Sequence, residues 1–510
     1  MQRDTAALSS RSFDVLIVGG GIHGLFAAYD AAQRGLTAAV IDRGDVGSGL
    51  SANHQRTLHG GLRAMQSGDL GKTRLQIRER RTWARIAPQL IRPLPFLFGT
   101  YGYLKKSRLA VRIGFAAYDY LGRHRNDNVT GELHLPKGRL ESVAVTRRLF
   151  PGINTTGLTG GAMWYDYQTT QAERLTWCVA MAAHAAGATV CNYVEATGPR
   201  TGGQSGVLAR DVISGQAFEI DARTVVFAAA EGLHALYATF GLQHAPPLLL
   251  AMNLLLDRPA MDMAHVAPSS SGRMLTAVPW RGHVLVGTSQ TTYAVPPGTR
   301  ASDADINAFL ADANSAFPHL KAATSDIRTV QSGLVPAAKK GNTLDLPRDF
   351  EIRSHASEGK SGLFSIVGAK YTTARLAAEH AIDAVSRQLN RAGRSRTAEV
   401  PLPHGEIADV EGHLIETARD TGAALEPAIL KHLGAWYGSE ASAVLRYARN
   451  TQWKDERLSL HSPVLTAEVP YAREHAMAMT ADDIIYRRTA LGATGRVGAE
   501  TETRIQKLTS

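Results

Sequence analysis

The first forty residues alternate between apolar runs and a glycine-rich loop. Phe13–Val18 is a short, mostly apolar run rich in β-branched residues, which predicts a buried strand. It ends at three consecutive glycines, after which apolar residues recur at helical spacing from Ile22 to Gln33, and Gly35 is a plausible C-terminal cap. Ala38–Ile41 predicts a second strand. The chain therefore opens with a strand–loop–helix–strand unit.

The rest of the chain divides into a mixed region and a helical region. Strands are predicted at Thr189–Glu195, Val207–Val212, Arg223–Ala229 and Gly362–Val367, with a hairpin over Met274–Thr288 that turns at Arg281-Gly282. Helices are predicted at Gln171–Ala186 and Thr373–Leu389. After Pro401-Leu402-Pro403, amphipathic helices dominate, which indicates a separate helical domain.

Length and composition narrow the class of protein. With 510 residues, two or three domains are expected. The net charge of +10 calls for an anionic partner, but Lys and Arg are spread along the chain without a nucleic-acid motif, so a membrane surface or an acidic substrate is favoured over nucleic acid. Cys178 and Cys191 show neither disulfide nor metal spacing, so a reducing, cytoplasmic setting and no metal are expected. Residues 1–12 lack the apolar core of a signal peptide, and the run Leu248–Leu256 is too short to span a bilayer.

The glycine loop predicts a dinucleotide site. Gly19, Gly21 and Gly24 have the spacing that lets backbone N–H groups approach a diphosphate, and the helix that begins at Ile22-His23 directs its positive end at the anion. Asp42 follows the second strand, where an acidic side chain binds ribose hydroxyls. This pattern alone does not separate NAD from FAD.

Two later segments carry a family resemblance. Leu58-His59-Gly60-Gly61-Leu62-Arg63 and Ile366-Val367-Gly368-Ala369-Lys370-Tyr371-Thr372-Thr373 resemble segments of the FAD-dependent glycerol-3-phosphate dehydrogenases, the quinone-linked aerobic type within the D-amino-acid-oxidase-like flavoproteins. The resemblance covers nearly the whole chain. It also includes Ile113-Gly114-Phe115, Tyr118-Asp119-x-Leu121-Gly122, Pro347-Arg348-Asp349-Phe350 and Ala481–Thr489.

The resemblance implies FAD as the cofactor and an α/β fold. It implies a doubly wound, Rossmann-like FAD-binding domain (12–70, 140–235 and 350–392), an antiparallel-sheet substrate domain (71–139 and 236–349) and a helical C-terminal cap domain (400–510). The cofactor residues expected are Gly19, Gly21, Ile22, His23, Gly24, Asp42, Arg43, Ser51, His59, Gly60, Gly61, Gly368, Lys370, Tyr371, Thr372 and Thr373.

The implied reaction is oxidation of a small anionic alcohol, glycerol 3-phosphate or a related polyol phosphate, by hydride transfer to flavin. The resemblance implies Arg63 and Lys370 as catalytic residues, and His59 joins them because it lies next to the Gly60-Gly61 turn, where it could face the flavin. Arg63, Arg348, Lys370, Thr372 and Asn253 are the implied substrate contacts.

This chain departs from the family pattern at the substrate site. Val335 stands where the family has a substrate-binding arginine, and Asn253 stands where it has a histidine proposed for proton transfer. The FAD-contacting segment also differs, as Ser51-Ala52-Asn53-His54-Gln55-Arg56. His59 or His54 could accept the substrate proton instead, and Lys339-Lys340 either replace the lost charge or form a solvated loop. Two alternatives therefore stay open: an oxidase or dehydrogenase of a hydroxy acid or amine, and a flavin-bound binding protein without catalysis.

A basic amphipathic segment bears on the identity of the electron acceptor. Residues 104–125 alternate Lys and Arg with large apolar residues, which is typical either of a helix on an anionic membrane surface or of an ordinary helix with one solvated face. Because quinone is dissolved in lipid, quinone reduction favours peripheral contact with the inner face of the membrane. The expected partners are thus a small anionic substrate and quinone or another electron acceptor, with a homodimer left open.

Overall fold

The computed structural model describes residues 1–102, 107–200, 205–293, 301–341, 343–405, 410–422, 425–453, 456–460, 462–495 and 497–509. Two large sheets and a C-terminal group of helices make up the fold. The described strands are β1 (Ser12–Val18), β2 (Ala38–Ile41), β3 (Thr57–Leu58), β4 (Ile91–Tyr101), β5 (Arg139–Glu141), β6 (Leu158–Thr169), β7 (Thr189–Cys191), β8 (Val194–Pro199), β9 (Gly206–Asp211), β10 (Ala217–Phe227), β11 (Leu248–Leu256), β12 (Ala264–Pro268), β13 (Met274–Trp280), β14 (His283–Thr292), β15 (Ile327–Pro336), β16 (Ala338–Lys340), β17 (Thr343–Asp345), β18 (Glu351–Ser354) and β19 (Leu363–Val367). The described α-helices are α1 (Thr5–Ser10), α2 (Ile22–Gln33), α3 (Leu62–Gln66), α4 (Leu70–Ile86), α5 (Arg108–Leu121), α6 (Val143–Leu149), α7 (Ala172–Ala185), α8 (Leu233–Phe240), α9 (Asp303–Ala316), α10 (Ala374–Gln388), α11 (Val410–Asp420), α12 (Pro427–Tyr437), α13 (Ala441–Arg449), α14 (Glu468–His475), α15 (Ala481–Asp483) and α16 (Ala499–Thr509).

The first sheet is the doubly wound one that the N-terminal pattern predicts. Its strands β19, β10, β1, β2 and β7 are parallel neighbours in that order. Strand β18 pairs antiparallel with β19 at one edge, and β9 pairs antiparallel with the first half of β10 and with β8. Helices α7 and α10 pack beside α2 on one face. Because β1, β2 and β10 run in the same direction, their carboxyl ends meet at one edge of the sheet, which is where ligands bind in open α/β sheets.

The second sheet is almost wholly antiparallel. Its order is β15-β11-β14-β13-β12-β4-β6-β3, and only β12 and β4 are parallel. The predicted hairpin is confirmed as β13 and β14. Its two-residue turn, Arg281-Gly282, has positive φ at both positions (49° and 81°), as a type I′ turn requires. Helix α9 packs its apolar face on this sheet.

Two expected boundaries differ from the structure. Strand β6 and all but the first residue of β5 fall inside 140–235, the range expected for the FAD-binding domain, yet both strands pair in the second sheet. The predicted strand Thr189–Glu195 is two strands, because Tyr193 adopts a φ of 55° and the buried Asn192 side chain turns away to bind Asp45. Both features depend on distant partners rather than on local apolar patterns.

The C-terminal residues form helices with their own apolar clusters. One cluster centres on Leu433, Trp436 and Leu445, and a second on Val469 and Ile484. In the described part of 400–510, helices alternate with turns and loops, and one isolated bridge between Arg457 and Leu465 is the only β pairing.

Candidate functional site

The glycine loop is packed too closely to tolerate side chains. Gly19 has a φ of 117°, and a Cβ there would lie 2.6 Å from the Ala228 carbonyl oxygen at the end of β10. A Cβ on Gly24 would lie 1.9 Å from the Gly19 carbonyl oxygen. Glycine at these two positions lets α2 begin directly against the sheet edge.

The start of α2 is arranged for a buried anion. Gly21 is its N-cap and provides no side-chain cap, so the helix end is left polar. The Ile22 N–H, expected to face the diphosphate, instead donates to the Ser51 hydroxyl oxygen at 2.9 Å. Burial lowers the pKa of His23 to about 4, so its ring is neutral at pH 7.

Asp42 lies where the sequence predicts, at the end of β2. Its Oδ2 accepts the Gly20 N–H at 2.6 Å and its Oδ1 accepts the Gly44 N–H at 2.8 Å. Burial raises the pKa of this carboxyl to about 6, although the two N–H groups oppose the shift. Each oxygen keeps a lone pair for a ligand hydroxyl. Arg43 beside it is exposed.

These groups line one cavity of about 540 Å³. Its walls include Gly19–His23, Asp42–Gly44, Gly47–Ser51, His54, Ala228–Gly232 and Gly368–Ala369 with Tyr371. A glycine cradle, a helix N-terminus and a buried carboxylate beside them are the donor and acceptor set that a dinucleotide needs, so these residues fit FAD.

The His59-Gly60-Gly61 turn lies beyond this cavity and is held by buried polar groups. A Cβ on Gly60 would lie 2.2 Å from both Arg80 Nη1 and Tyr118 Oη. The Tyr118 hydroxyl donates to the Gly60 carbonyl at 2.9 Å, which explains the Tyr118 motif. Gly61 caps α3 with a φ of 83°.

Asp166, which sequence reasoning missed, lies beneath this turn. Its Oδ1 accepts the Gly60 N–H at 2.8 Å and a close bond from Arg80, and its Oδ2 is 3.2 Å from His59 Nδ1. Burial would raise the pKa of Asp166, but the Arg80 charge and His59 outweigh it and lower the pKa. The ionised carboxylate therefore accepts Nδ1–H, which leaves His59 Nε2 as an acceptor on a side chain that is 53% exposed.

The segment Ile366–Thr373 contacts the His59-Gly60-Gly61 turn. The Thr372 hydroxyl oxygen accepts the His59 N–H at 3.1 Å, and the Thr372 carbonyl accepts Trp83 Nε1–H at 3.0 Å. Tyr371 bonds Thr176 at 3.1 Å. Thr373 is the N-cap of α10. The structure thus brings together two segments that are more than three hundred residues apart in the chain.

Lys370 carries the charge of this second segment. Its ammonium donates to the Arg348 carbonyl at 2.6 Å. Burial, with the charge of Lys72 as the next cause, lowers the pKa of Lys370 to about 8. Arg63 on α3 also acts on it. Arg348, expected to bind substrate through its guanidinium, has an exposed side chain, and only its backbone makes this contact.

The residues that depart from the family pattern lie in different surroundings. Val335 is buried in an apolar cluster with Leu249 and Ala337, against which Ala369 packs, so this wall carries no charge. Asn253 is buried, and its Oδ1 accepts the Thr288 hydroxyl at 2.8 Å. Lys339 and Lys340 lie on exposed β16, where Lys340 pairs with Asp345 at 3.5 Å. The solvated-loop interpretation fits these two lysines.

His54 is the less suitable of the two histidine bases. Its ring stacks on Tyr371 at 4.3 Å, and its Nδ1 accepts the Arg56 N–H at 3.1 Å. Burial, followed by the charges of Arg56 and His59, holds the pKa of His54 well below its usual range. His54 is therefore uncharged at neutral pH and forms part of the cavity wall.

The sequence contains a feature from which the role of Asp166 could have been predicted. It is the acidic residue within the mostly apolar run that forms β6, and a buried acid in such a strand has a partner or a function.

The fold and this site define a flavin-dependent oxidoreductase, and the comparisons with known proteins agree. Residues 14–391 match the FAD dependent oxidoreductase family, and residues 395–509 match the C-terminal domain of alpha-glycerophosphate oxidase. The chain belongs to the FAD-dependent oxidoreductase family, and FAD is its cofactor.

Individual relatives of the chain are glycerol-3-phosphate dehydrogenases. The glycerol-3-phosphate dehydrogenase of Synechocystis sp. is 29% identical over 96% of this chain and 90% of its own length. The mitochondrial glycerol-3-phosphate dehydrogenase of Homo sapiens is 30% identical over 95% of this chain and 68% of its own. The structure of glycerol-3-phosphate dehydrogenase from Bacillus halodurans, complexed with FAD, aligns with a TM-score of 0.74 and 25% identity over 98% of this chain and 94% of that one. The family resemblance in the sequence is therefore confirmed.

Proposed function

We propose that this chain oxidises glycerol 3-phosphate to dihydroxyacetone phosphate and passes the electrons to quinone. The observation that carries the proposal is the His59–Asp166 pair, held at the same turn as Arg63 and joined through Thr372 to Lys370. The site thus offers a proton acceptor next to cations. Bound FAD supplies the hydride acceptor.

The residues of the chain divide the work of this reaction. His59 Nε2 takes the hydroxyl proton as the carbinol C–H bond breaks, and Asp166 holds the ring by Nδ1 and stabilises its protonated form. Arg63 and Lys370 bind the phosphate by charge-assisted hydrogen bonds. The Thr372 hydroxyl oxygen fixes the His59 backbone and hence the position of the ring.

The test is anaerobic reduction of the holoenzyme. Glycerol 3-phosphate should bleach the flavin absorbance, and with an artificial dye as acceptor it should yield dihydroxyacetone phosphate. If dithionite reduces the flavin but glycerol 3-phosphate leaves it oxidised, glycerol 3-phosphate is excluded as the substrate.

A second candidate is oxidation of a hydroxy acid or an amine. The apolar wall at Val335 supports it, because that wall lacks the arginine of the family pattern and so offers no positive charge for a phosphate. The same bleaching assay with hydroxy acids and amines separates the two candidates. If no substrate of any of these classes reduces the flavin, the non-catalytic alternative is favoured.

Helix α5 is our proposed contact with a membrane that contains quinone. Leu109, Ile113 and Tyr120 lie along one side of it and are 69%, 62% and 66% exposed, with Arg112 and Arg123 near them. The remainder of the expected segment, 104–106, lies outside the described residues. Among the described helices, none is long and apolar enough to cross a membrane. The cytoplasmic setting and the homodimer stay predictions.

A further inference from the structure

Arg80 is a buried cation beneath the turn that carries the proposed base. Its side chain is 1% exposed, and its Nη1 lies within hydrogen-bonding distance of three oxygens. These are Asp166 Oδ1, the Tyr118 hydroxyl oxygen at 3.1 Å and the Tyr165 carbonyl oxygen at 3.0 Å. Asp166 in turn accepts the Gly60 N–H at 2.8 Å, and the Tyr118 hydroxyl donates to the Gly60 carbonyl at 2.9 Å. One guanidinium therefore holds the partners of both backbone polar groups of Gly60.

Helix α4 fixes Arg80 in this position through its neighbours. Glu79, the preceding residue, forms a buried two-pronged salt bridge with Arg375 of α10, with both N–O distances at 2.8 Å. Trp83, one turn further on, donates its Nε1–H to the Thr372 carbonyl at 3.0 Å. The helix is thus attached by buried polar contacts on both sides of Arg80, so the guanidinium has a defined place.

The charge of Asp166 depends on Arg80. Burial by itself would raise the pKa of Asp166, and the charge of Arg80 is the largest cause that lowers it, ahead of His59. The other titratable groups in contact with this cluster, Tyr118 and Tyr167, are neutral at pH 7, since burial raises the pKa of each to about 12. Arg80 is therefore the group whose permanent charge keeps Asp166 ionised.

The charge of Asp166 decides which nitrogen of His59 carries the proton. An ionised carboxylate can only accept a hydrogen bond, so the 3.2 Å contact of Asp166 Oδ2 requires a proton on His59 Nδ1 and leaves Nε2 as an acceptor. A protonated Asp166 would instead donate to Nδ1 and place the ring proton on Nε2, which could then take no proton from a substrate. Loss of Arg80 favours this second arrangement, because a buried carboxyl without a cationic partner is more stable when neutral.

We propose that Arg80 is a positioning residue: it keeps Asp166 ionised and thereby keeps the His59 proton on Nδ1, with Nε2 free to accept a proton. Arg80 acts through Asp166 and needs no contact with the substrate or the flavin. Its part in proton transfer rests on the proposed function, whereas its control of the His59 tautomer does not.

The spectroscopic test reads the tautomer directly. In the FAD-bound enzyme with ¹⁵N-labelled histidine, protonated and unprotonated ring nitrogens give well-separated signals, and the H59Q spectrum assigns those of His59. The proton should lie on Nδ1 in the wild type and on Nε2 in R80M. R80K keeps the positive charge and should restore the wild-type pattern. If His59 keeps a proton on Nδ1 in R80M, the proposal is wrong.

Two further variants make this comparison secure. R34M is the matched control, because Arg34 is also buried, at 2% exposure, but pairs with Asp30 at 2.6 Å rather than with Asp166. It should leave the tautomer of His59 unchanged. R80Q retains a hydrogen-bond donor for Asp166 without the charge, so it provides the same test if R80M does not fold.

The kinetic test is a double-mutant cycle with glycerol 3-phosphate and an artificial dye. R80M should lower kcat by roughly 10- to 10³-fold, which is less than the full loss of a general base, and leave KM nearly unchanged. D166N already removes the carboxylate through which Arg80 acts, so kcat of R80M/D166N should equal that of D166N within about 2-fold. If the two losses multiply instead, Arg80 does not act through Asp166. R34M should retain the wild-type kcat.

The two tests separate this proposal from the proposed function. If glycerol 3-phosphate does not reduce the wild-type flavin while R80M still moves the His59 proton, the function is wrong and the control of the tautomer stands. If glycerol 3-phosphate reduces the flavin but the tautomer is unchanged in R80M, the function stands and the role of Arg80 is refuted.

Discussion

Asp45 and Arg488 form a buried, two-pronged salt bridge between the loop after β2 and the C-terminal helices. Arg488 Nη2 lies 2.7 Å from Asp45 Oδ1, and Nη1 lies 2.8 Å from Oδ2. Arg487 Nε also binds Oδ2, at 2.5 Å. Since Asp42 lies on the same loop, the C-terminal helices hold the segment that we expect to bind the FAD ribose.

Breaking this bridge should weaken both stability and FAD retention. R488M leaves Asp45 buried with one partner fewer, and removing one partner of a buried pair costs about 3–5 kcal/mol in the free energy of unfolding. FAD should also dissociate more readily, because the Asp42 loop loses its anchor. Chemical unfolding and FAD release measure the two effects.

The matched control is R394Q, which breaks the exposed Arg394–Glu399 pair and should change neither quantity.

The stabilisation by the Asp45–Arg488 bridge should also depend on pH. Burial would raise the pKa of Asp45, but the charges of Arg488 and Arg487 outweigh it and hold the pKa below its usual range. The stabilisation by the bridge is therefore fully present above the ordinary pKa of a carboxyl and is lost as pH falls through the lowered pKa of the folded state. An R488M enzyme with wild-type FAD retention would refute the anchoring role.

Gly60 should not tolerate even a methyl group. The Cβ of G60A would meet Arg80 and Tyr118 at 2.2 Å, so the turn that carries His59 must move. We expect a loss of roughly 1–3 kcal/mol of stability from overpacking, together with a large loss of kcat. G131A is the control, because no atom lies within 4 Å of a Cβ at Gly131. Equal behaviour of the two variants in unfolding and turnover would contradict this packing argument.

The His59–Asp166 pair should control proton transfer. H59A should lower kcat by about 10²- to 10⁴-fold, the range for a lost general base. D166N should also lower kcat, because Nδ1–H loses its acceptor and the ring loses its orientation.

Y118F separates proton transfer from positioning of the turn. It removes the hydrogen bond to the Gly60 carbonyl but retains the proton acceptor, so kcat should fall much less than in H59A. If kcat of H59A falls no further than that of Y118F, His59 is not the base.

Lys370 should set the alkaline limit of substrate binding. Burial and Lys72 lower its pKa to about 8, so the ammonium is present below pH 8 and is lost above it. The value of kcat/KM for glycerol 3-phosphate should therefore fall above about pH 8. In K72M the break should move to higher pH, since the repelling charge is gone, and in K370M it should vanish. A pH profile unchanged in K370M would contradict the assignment.

The exposed face of α5 should bind anionic vesicles. L109E/I113E places two acids on that face and should abolish co-sedimentation with vesicles that contain anionic lipid. The control is I213E, which changes an apolar residue of similar exposure outside α5, 50% for Ile213. Activity with a water-soluble dye should be retained in both variants. Retained sedimentation of L109E/I113E would exclude this face as the contact.

Local sequence determined the cofactor unit. The first strand, helix and second strand occupy the predicted residues almost unchanged, because a buried strand, a glycine turn and an amphipathic helix depend on neighbours in sequence. The motifs near His59 and Lys370 likewise identified the family before any contact was known. By contrast, β5 and β6 joined the unexpected sheet, since strand pairing depends on partners far along the chain.

Only the tertiary structure decided how the candidate site is completed. Asp166 is 107 residues from His59, and it reaches that ring because β6 pairs with β3, the strand directly before the turn. Helix α4 packs against the His59–Gly61 turn because Gly61 has no side chain to separate them. Sequence patterns report spacing along one element, whereas these contacts depend on sheet pairing and helix packing. The sequence thus determined the class of enzyme, and the fold decided which side chains surround its substrate.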